Sequence, residues 1–292
     1  MRALLAFGAR PNFMKIAPLY RAMSARPEFD AVLVHTGQHF DRMMSEDFLE
    51  VLDLPTPDVH LGAGGGSQAV QLAEVIRPLE SVMVDVQPDV TVVVGDVTST
   101  LAVALTSATL DIPVAHVEAG LRSRDWRMPE ERNRVLTDRL STFLFTPSLD
   151  ANENLLAEGI PADRTFFVGN VMMDSLDWVL PRISVAGTQA TFGVAHQAYG
   201  LVTLHRPSNV DSASVLAGIL SALESLSADL PLVFPVHPRT RQRLDTFGIG
   251  AESPRLRVVE PLGYDTMTAL LAGAAIVLTD SGGIQEEATA LG

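Results

Sequence analysis

The segment Thr279-Asp280-Ser281-Gly282-Gly283-Ile284-Gln285-Glu286-Glu287 contains the residue types that hold a phosphate. An apolar run, Ala274 to Leu278, stops at small residues and two glycines, and a helix-forming stretch with two carboxylates follows at once. Glycines let the backbone approach a ligand closely, and the free N–H groups of a helix N-terminus attract anions. An ordinary turn in which Ser281 or Asp280 only caps the helix fits this pattern equally well.

Three carboxylates of the first half follow predicted strands closely enough to act together. Asp96 follows the apolar run Val90–Val94, Glu118 follows Val114–Val117, and Glu131 lies in the first turn of a predicted helix. Because the carboxyl ends of parallel strands meet at one edge of a sheet, these groups are expected to project toward one rim, where they could transfer protons. Asp96 could instead be a helix cap and Glu131 a complement to the helix dipole.

Positive charge is available near both groups of residues. Arg10 and Lys15 come after the first predicted strand, Ala3–Phe7, and His205 comes at the end of a later strand. At a helix N-terminus such groups could bind a phosphate, although a lone Arg or Lys is more often a solvated surface residue. The loop after the first strand lacks the G-x-G-x-x-G dinucleotide fingerprint, and the glycine-rich run 62–67 lacks its last glycine.

Composition excludes several classes of function. The 21 Lys and Arg against 35 Asp and Glu give a net charge of −14, which disfavours nucleic-acid binding. Without cysteine there is no disulfide, thiolate zinc site or thiol nucleophile. His35 and His39 have a spacing that could suit zinc, but Gly37 lies between them, so no metal site is predicted. No apolar run is long enough for a membrane span or signal peptide, and a cytoplasmic location is expected.

Short apolar runs alternate with helical periods along the whole chain, which predicts parallel βαβ units in an α/β protein. Two Rossmann-like doubly wound domains are expected, at residues 1–170 and 171–292, with a cleft between the carboxyl ends of their sheets. The stretch Ser184–Tyr199 has little pattern and is predicted to be a connection. Pro78 is expected to kink the helix Ser67–Val86.

Longer motifs along the chain resemble those of the non-hydrolysing UDP-N-acetylglucosamine 2-epimerases. The matching segments are Gly8-Ala9-Arg10-Pro11 with Lys15, Thr36-Gly37-Gln38-His39, Gly95-Asp96, His116-Val117-Glu118-Ala119-Gly120-Leu121-Arg122, Pro129-Glu130-Glu131-Arg132-Asn133-Arg134, Gly169-Asn170, His205-Arg206, Pro235-Val236-His237, and the segment 279–287. They run in order from the first strand to the end of the chain. The resemblance implies a fold similar to the GT-B glycosyltransferases, a homodimer, and interconversion of UDP-N-acetylglucosamine and UDP-N-acetylmannosamine without a redox cofactor.

The resemblance also implies roles for individual residues. The diphosphate would be stabilised by Arg10, Lys15, His205, Ser281, Gly282 and Gly283. Glu287 would bind the uridine ribose, and Leu262 and Met267 would belong to the same UDP-sugar site. Asp96, Glu118 and Glu131 would move protons and stabilise a cationic carbon, with the assignment of acid and base left open. Family members continue past the position of Gly292, so the second domain is expected to be incomplete at its end.

Two other functions are compatible with the same motifs. A UDP-sugar glycosyltransferase of the same fold could use the same nucleotide site, but it would need an acceptor, and the three carboxylates argue against it. An inactive homologue that only binds a UDP-sugar is the other alternative. Incubation with UDP-N-acetylglucosamine alone separates these functions.

Overall fold

The computed structural model describes residues 1–37, 48–250 and 255–292, except the side chain of Arg10. These residues form two compact units, Met1–Ser175 and Leu176–Gly292. Each unit is built around a parallel sheet with helices packed against it, which confirms the predicted α/β class with two doubly wound units.

The first unit contains a seven-stranded parallel sheet, counted over the described residues, in the order β3-β2-β1-β4-β5-β6-β7. Its strands are β1 Arg2–Phe7, β2 Asp30–His35, β3 Val59–His60, β4 Val90–Val94, β5 Val114–Val117, β6 Phe143–Thr146 and β7 Thr165–Phe167. Its helices are α1 Arg10–Ser24, α2 Gln68–Val86, α3 Thr98–Thr109, α4 Pro129–Leu140 and α5 Leu149–Ala157. Helix α6, Val171–Val179, crosses the boundary between the units.

The second unit contains a four-stranded parallel sheet, again among the described residues, in the order β10-β9-β8-β11. Its strands are β8 Gly200–Thr203, β9 Leu232–Pro235, β10 Leu256–Val259 and β11 Ile276–Thr279. Its helices are α7 Val185–Thr191, α8 Pro207–Val210, α9 Ala213–Ser227, α10 Pro238–Phe247, α11 Tyr264–Gly273 and α12 Gly282–Leu291.

The central strands are buried along their whole length and are mostly apolar, with Thr91, His116 and Thr203 as the polar residues of β4, β5 and β8. Every residue of β4 and of β5 is buried, and so is every residue of β8 and of β9. Continuous apolar runs are typical of parallel strands with helices on both sides. In the first unit the strand order reverses in the interior of the sheet, between β1 and β4, and in the second it reverses beside the edge strand of the described residues, between β8 and β11. Ligands of open α/β sheets bind beside such a point, at the carboxyl ends of the strands.

The structure changes the predicted elements in a few places. Most of the predicted helix Asp41–Leu49 lies outside the described residues. Helix α1 begins at Arg10 rather than Met14, since the proline at position 11 fits the first turn of a helix and Asn12 Oδ1 accepts a hydrogen bond from Ala9 N–H at 3.1 Å. Helix α2 continues through Pro78.

The prediction of a connection over Ser184–Tyr199 is wrong in its first part, where α7 lies. Ser184 caps this helix, because its hydroxyl accepts a hydrogen bond from Gly187 N–H at 3.1 Å. A Cβ at Gly187 would lie 2.8 Å from that hydroxyl, so glycine makes room for the cap. The glycine that suggested a loop is therefore part of a helix start.

Candidate active site

The loop after β4 places Asp96 beside the groups that follow β1 and β5. Gly95 has a φ of 64°, and its N–H donates to the Val117 carbonyl at 3.1 Å. A Cβ at Gly95 would lie 3.2 Å from Lys15 Nζ and 3.6 Å from Glu118 Oε2. The positive φ and the close approach together require glycine here, one residue before Asp96.

Glu118 has a backbone conformation that is rare for a residue with a side chain. Its φ is 73°, and its N–H and that of Ala119 both donate to the Phe145 carbonyl, at 3.0 and 3.1 Å. A non-glycine residue in this region costs about 1–3 kcal/mol and persists where the surrounding structure enforces it, often at functional sites. The Glu118 carboxylate forms an ion pair with Lys15, and both side chains are largely buried.

Glu131 is held as an anion by several donors. Its Oε2 accepts from Ser123 N–H at 2.8 Å and from the Ser123 hydroxyl at 3.0 Å, and its Oε1 accepts from Arg124 N–H at 2.8 Å. Burial acts to raise the pKa of this carboxyl, but these hydrogen bonds and the charge of Arg134 outweigh it, and the pKa lies below its usual value. Glu131 is 2% exposed and remains a carboxylate at neutral pH.

Arg134 joins two of the predicted carboxylates. Its guanidinium forms an ion pair with Asp96 and lies 3.3 Å from Glu131 Oε2. The Asn133 side chain also donates to the Asp96 carbonyl at 2.9 Å. Helix α4 therefore fixes Asp96 by two contacts. The alternative in which Asp96 caps the next helix is wrong, since Val97 is the N-cap residue of α3.

In the second unit, Asp280 connects the ends of β8 and β11. Its Oδ2 accepts three hydrogen bonds. The donors are the backbone N–H groups of His205 and Arg206, at 3.0 and 2.9 Å, and the Asn209 side-chain amide, at 2.9 Å. His205 Nδ1 lies 2.8 Å from Asp280 Oδ1. Asp280 thus orients the His205 ring through Nδ1.

The turn between β11 and α12 does not use its polar side chains as helix caps. Ser281 occupies the N-cap position but its side chain makes no capping hydrogen bond, and Asp280 bonds to the β8 loop instead. The capping interpretation of this turn is wrong for both residues. A Cβ at Gly282 would meet no atom of the described chain within 4 Å, so packing alone does not require glycine there.

Glu287 lies one turn further along α12 and is 2% exposed. Its Oε1 accepts a hydrogen bond from the Tyr264 hydroxyl at 2.9 Å. Burial raises the pKa of Glu287 to about 7, assisted by Glu286 and opposed by the Tyr264 hydrogen bond. Leu262 and Met267 are partly buried and pack against the apolar cluster of this unit that also contains Ile284.

Several residues of the site were missed in the sequence. His116 and Arg122 belong to the matching motifs, but no role was predicted for them, and Asp138 and Tyr264 were not singled out. The spacing of Asp138, seven residues after Glu131 on one helix, places both on the same face and was an available signal.

Two features are absent from the described residues. No group of three or more His, Asp or Glu side chains among them could hold a metal ion. No helix of this part of the chain is long and apolar enough to cross a membrane.

Comparison with known proteins identifies the family to which the chain belongs. The profile described as UDP-N-acetylglucosamine 2-epimerase matches residues 21–292. The UDP-N-acetylglucosamine 2-epimerase of Methanocaldococcus jannaschii is 39% identical over 302 residues, covering 100% of this chain and 81% of the relative. The chain belongs to the UDP-N-acetylglucosamine 2-epimerase family. One further member of this epimerase family, the UDP-2,3-diacetamido-2,3-dideoxy-D-glucuronate 2-epimerase of Pseudomonas aeruginosa, is 41% identical, covering 99% of this chain and 80% of the relative.

Solved structures of the epimerase family agree in fold. The crystal structure of the M. jannaschii enzyme in complex with UDP-GlcNAc and UDP has a TM-score of 0.89 to this chain, covering 100% of it and 82% of the structure. The Neisseria meningitidis epimerase bound to UDP-GlcNAc has a TM-score of 0.90 at 30% identity, covering 100% of this chain and 81% of the structure. The chain has the GT-B-like fold of these epimerases.

Proposed function

We propose that this protein interconverts UDP-N-acetylglucosamine and UDP-N-acetylmannosamine by removing and restoring the proton at C2 of the sugar. The observation that carries the proposal is the Lys15–Glu118 ion pair, packed against Gly95 in a chain of this family. It sets a strained carboxylate and a buried cation next to the loop of a second carboxylate, Asp96. Such a cluster fits proton transfer coupled to departure of an anionic group.

The reaction needs elimination because the C2 hydrogen is not next to a carbonyl and is not acidic. As the bond from C1 to the diphosphate oxygen breaks, positive charge develops at C1 and the C2 proton becomes removable. Loss of that proton and of UDP by anti elimination gives 2-acetamidoglucal. Return of a proton to the other face of C2 and of UDP to C1 completes the inversion.

The exposure and hydrogen bonding of the three carboxylates indicate different roles for them. The side chains of Asp96 and Glu118 are 31% and 17% exposed, so a substrate can reach them. We assign proton transfer to these two residues, with acid and base left open between them. Glu131 is bonded through both oxygens and has a lowered pKa, so it serves as the fixed anion that stabilises the cationic carbon and holds Arg134.

Binding of UDP is assigned to the second unit together with two cations of the first. The N-terminus of α12 at Ser281, Gly282 and Gly283 offers N–H groups to the diphosphate, and His205 is oriented for the same task by Asp280. Arg10 and Lys15 add positive charge, as the family resemblance implies. Glu287 binds the uridine ribose, and Leu262 and Met267 complete the UDP-sugar site.

Incubation with UDP-N-acetylglucosamine alone in D2O tests the proposal. Proton NMR should show UDP-N-acetylmannosamine and deuterium at C2 of both sugars, because the proton leaves to solvent. Asp96→Asn and Glu118→Gln should slow turnover about 100-fold or more while UDP binding by calorimetry is retained. Glu130→Gln, an exposed neighbour on α4, is the matched control and should retain activity. Inversion that keeps protium at C2, or no reaction without an acceptor, would refute the mechanism.

A second substrate deserves the same assay because of the 41% identity to the P. aeruginosa enzyme. UDP-2,3-diacetamido-2,3-dideoxy-D-glucuronate has the same reacting atoms at C1 and C2, but it carries an acetamido group in place of the C3 hydroxyl and a carboxylate in place of the hydroxymethyl group on C5. If this protein prefers it, kcat/KM should favour it over UDP-N-acetylglucosamine while the deuterium pattern stays the same.

The oligomer and the location of the protein are also proposals. We propose a homodimer in the cytoplasm, on the basis of the family resemblance. Light scattering of the purified protein and fractionation of the cells that make it test these two expectations.

A further inference from the structure

A buried histidine–aspartate pair lies beneath the rim that carries Asp96 and Glu118. His116 is in β5 and Asp138 is in the last part of α4, and both side chains are 0% exposed. His116 Nδ1 lies 2.6 Å from Asp138 Oδ1, and His116 Nε2 lies 2.8 Å from the Gly95 carbonyl oxygen. Neither residue has a role in the proposed chemistry.

Both ring nitrogens of His116 are hydrogen-bonded. The Gly95 carbonyl oxygen can only accept, so Nε2–H donates to it, while Nδ1 shares a hydrogen bond with the Asp138 carboxyl group. Burial acts to raise the pKa of Asp138, but its contacts with His116 and Arg122 outweigh it, and its pKa is lowered. Nε2 is thereby fixed as the donor to the loop of Asp96.

The charges of this cluster balance. Arg122 Nη1 lies 2.7 Å from Asp138 Oδ2 and Arg122 Nε lies 2.7 Å from Glu158 Oε1. Arg139 Nη2 lies 4.0 Å from Glu158 Oε2, so the cluster contains two guanidinium groups, Arg122 and Arg139, and two carboxylates, Asp138 and Glu158. Removing one member would leave an uncompensated buried charge, which is costly, whereas the intact set is internally neutralised.

Asp138 and His116 together contact the backbone of both catalytic loops. Asp138 Oδ2 accepts a hydrogen bond from Gly120 N–H at 3.1 Å, two residues after Glu118. His116 Nε2 donates to the carbonyl of Gly95, the residue before Asp96. Both glycines have positive φ values, 64° for Gly95 and 82° for Gly120, so each loop turns sharply where it contacts His116 or Asp138.

We propose that His116 and Asp138 are positioning residues for the reaction, a buried clamp that fixes the loop of Asp96 relative to the loop of Glu118. The clamp acts through backbone atoms and touches no substrate. This inference rests on the proposed function for its catalytic consequence, but the clamp itself is a property of the first unit alone. A displacement of about 1 Å in a catalytic group can cost about 100-fold in rate.

Variants of the clamp test it against a purely structural role. Asp138→Asn, His116→Gln and the double variant should each lower kcat about 10- to 100-fold, with KM and the calorimetric affinity for UDP nearly unchanged. Because both residues act as one unit, the loss in the double variant should be close to that of the larger single loss. Asp30→Asn, which breaks an exposed ion pair with Arg2 in the same unit, is the matched control and should retain kcat.

Two measurements do not depend on turnover. In the unaltered protein, nitrogen-15 NMR should show His116 Nε2 carrying a proton that exchanges slowly with water, because Nε2–H donates to the Gly95 carbonyl, and an unprotonated Nε2 would overturn the inference. Hydrogen exchange should rise in residues 95–99 and 118–124 of Asp138→Asn and remain unchanged in Asp30→Asn. Equal exchange in these loops, or additive kcat losses, would also overturn it. An unaltered protein that turns over no UDP-sugar would refute the proposed function alone, and the NMR and exchange results would still decide the clamp.

Discussion

Replacing Glu287 by glutamine should make the protein more stable at neutral pH and a weaker binder of UDP. Glu287 is 2% exposed, and its pKa is raised from 4.5 to about 7. A folded-state pKa above the unfolded value means that folding favours the protonated carboxyl. Stability should therefore fall as the pH rises from about 4.5 to about 7 and then level off.

The size of this effect follows from the shift. A rise in pKa from 4.5 to about 7, at about 1.4 kcal/mol per unit, gives about 3 kcal/mol of instability above pH 7. Glutamine stays neutral, and its oxygen can still accept the Tyr264 hydrogen bond. Its new N–H groups lack an assigned acceptor, which costs about 1 kcal/mol. The net gain of Glu287→Gln should be about 2 kcal/mol at pH 8 and should reverse to a small loss at pH 4.5.

Urea unfolding followed by Trp178 fluorescence measures this change in the second unit. A Trp126→Phe background removes the other tryptophan, which is exposed in the first unit. Asp229→Asn, at an exposed position of the second unit, is the control and should change stability by a few tenths of a kcal/mol. A difference between Glu287→Gln and the parent that is independent of pH would refute the reasoning about burial. Unchanged UDP affinity would refute the assignment of the ribose contact.

Three further predictions concern the loops and the second unit. Gly120→Ala should lower the free energy of unfolding by more than about 2 kcal/mol, because φ is 82° and the new Cβ would lie 2.5 Å from the Ala151 carbonyl oxygen. A melting temperature that changes by less than about 2 °C would contradict this. Asp280→Asn should weaken UDP binding about 10-fold, because it disturbs the His205 ring and the loop after β8; equal affinity by calorimetry would be inconsistent with that arrangement. Tyr264→Phe removes a hydrogen bond that favours ionised Glu287, so the pKa of the Glu287 carboxyl, measured by carbon-13 NMR, should rise above that of the parent. A pKa of Glu287 below that of the parent would contradict the assigned cause.

The elements that position the site could be predicted because their apolar patterns are long enough to be unambiguous. Strands β4 and β5 and helix α4 have the predicted bounds. Strands β3 and β7 were missed since two or three residues show no period. The start of α12 at Gly282 was placed too late because glycine is a poor helix former, although the first turn tolerates it.

The predicted site residues were types with obvious chemistry, and the missed ones act through geometry. The contact of His116 with the Gly95 carbonyl depends on the register of β4 and β5, in which Val93 lies opposite His116. Register is a product of packing across the sheet, and no local pattern in the sequence specifies it. The positive φ of Glu118 could not be predicted from the sequence either, because a positive φ is normally found at glycine, asparagine or aspartate.

The rigid backbone around Glu118 has a consequence for how substrate choice can evolve. The loops of Asp96 and Glu118, to which we assign proton transfer, are anchored by backbone hydrogen bonds and by the buried side chains of His116 and Asp138. Mutations that alter these loops would damage proton transfer for every sugar alike. Relatives named for different UDP-sugars, each about 40% identical to this chain, are therefore expected to differ at positions that face the C3 and C5 substituents. Directed evolution toward a new sugar should succeed where it randomises those outer positions and leaves residues 95–96 and 116–120 intact.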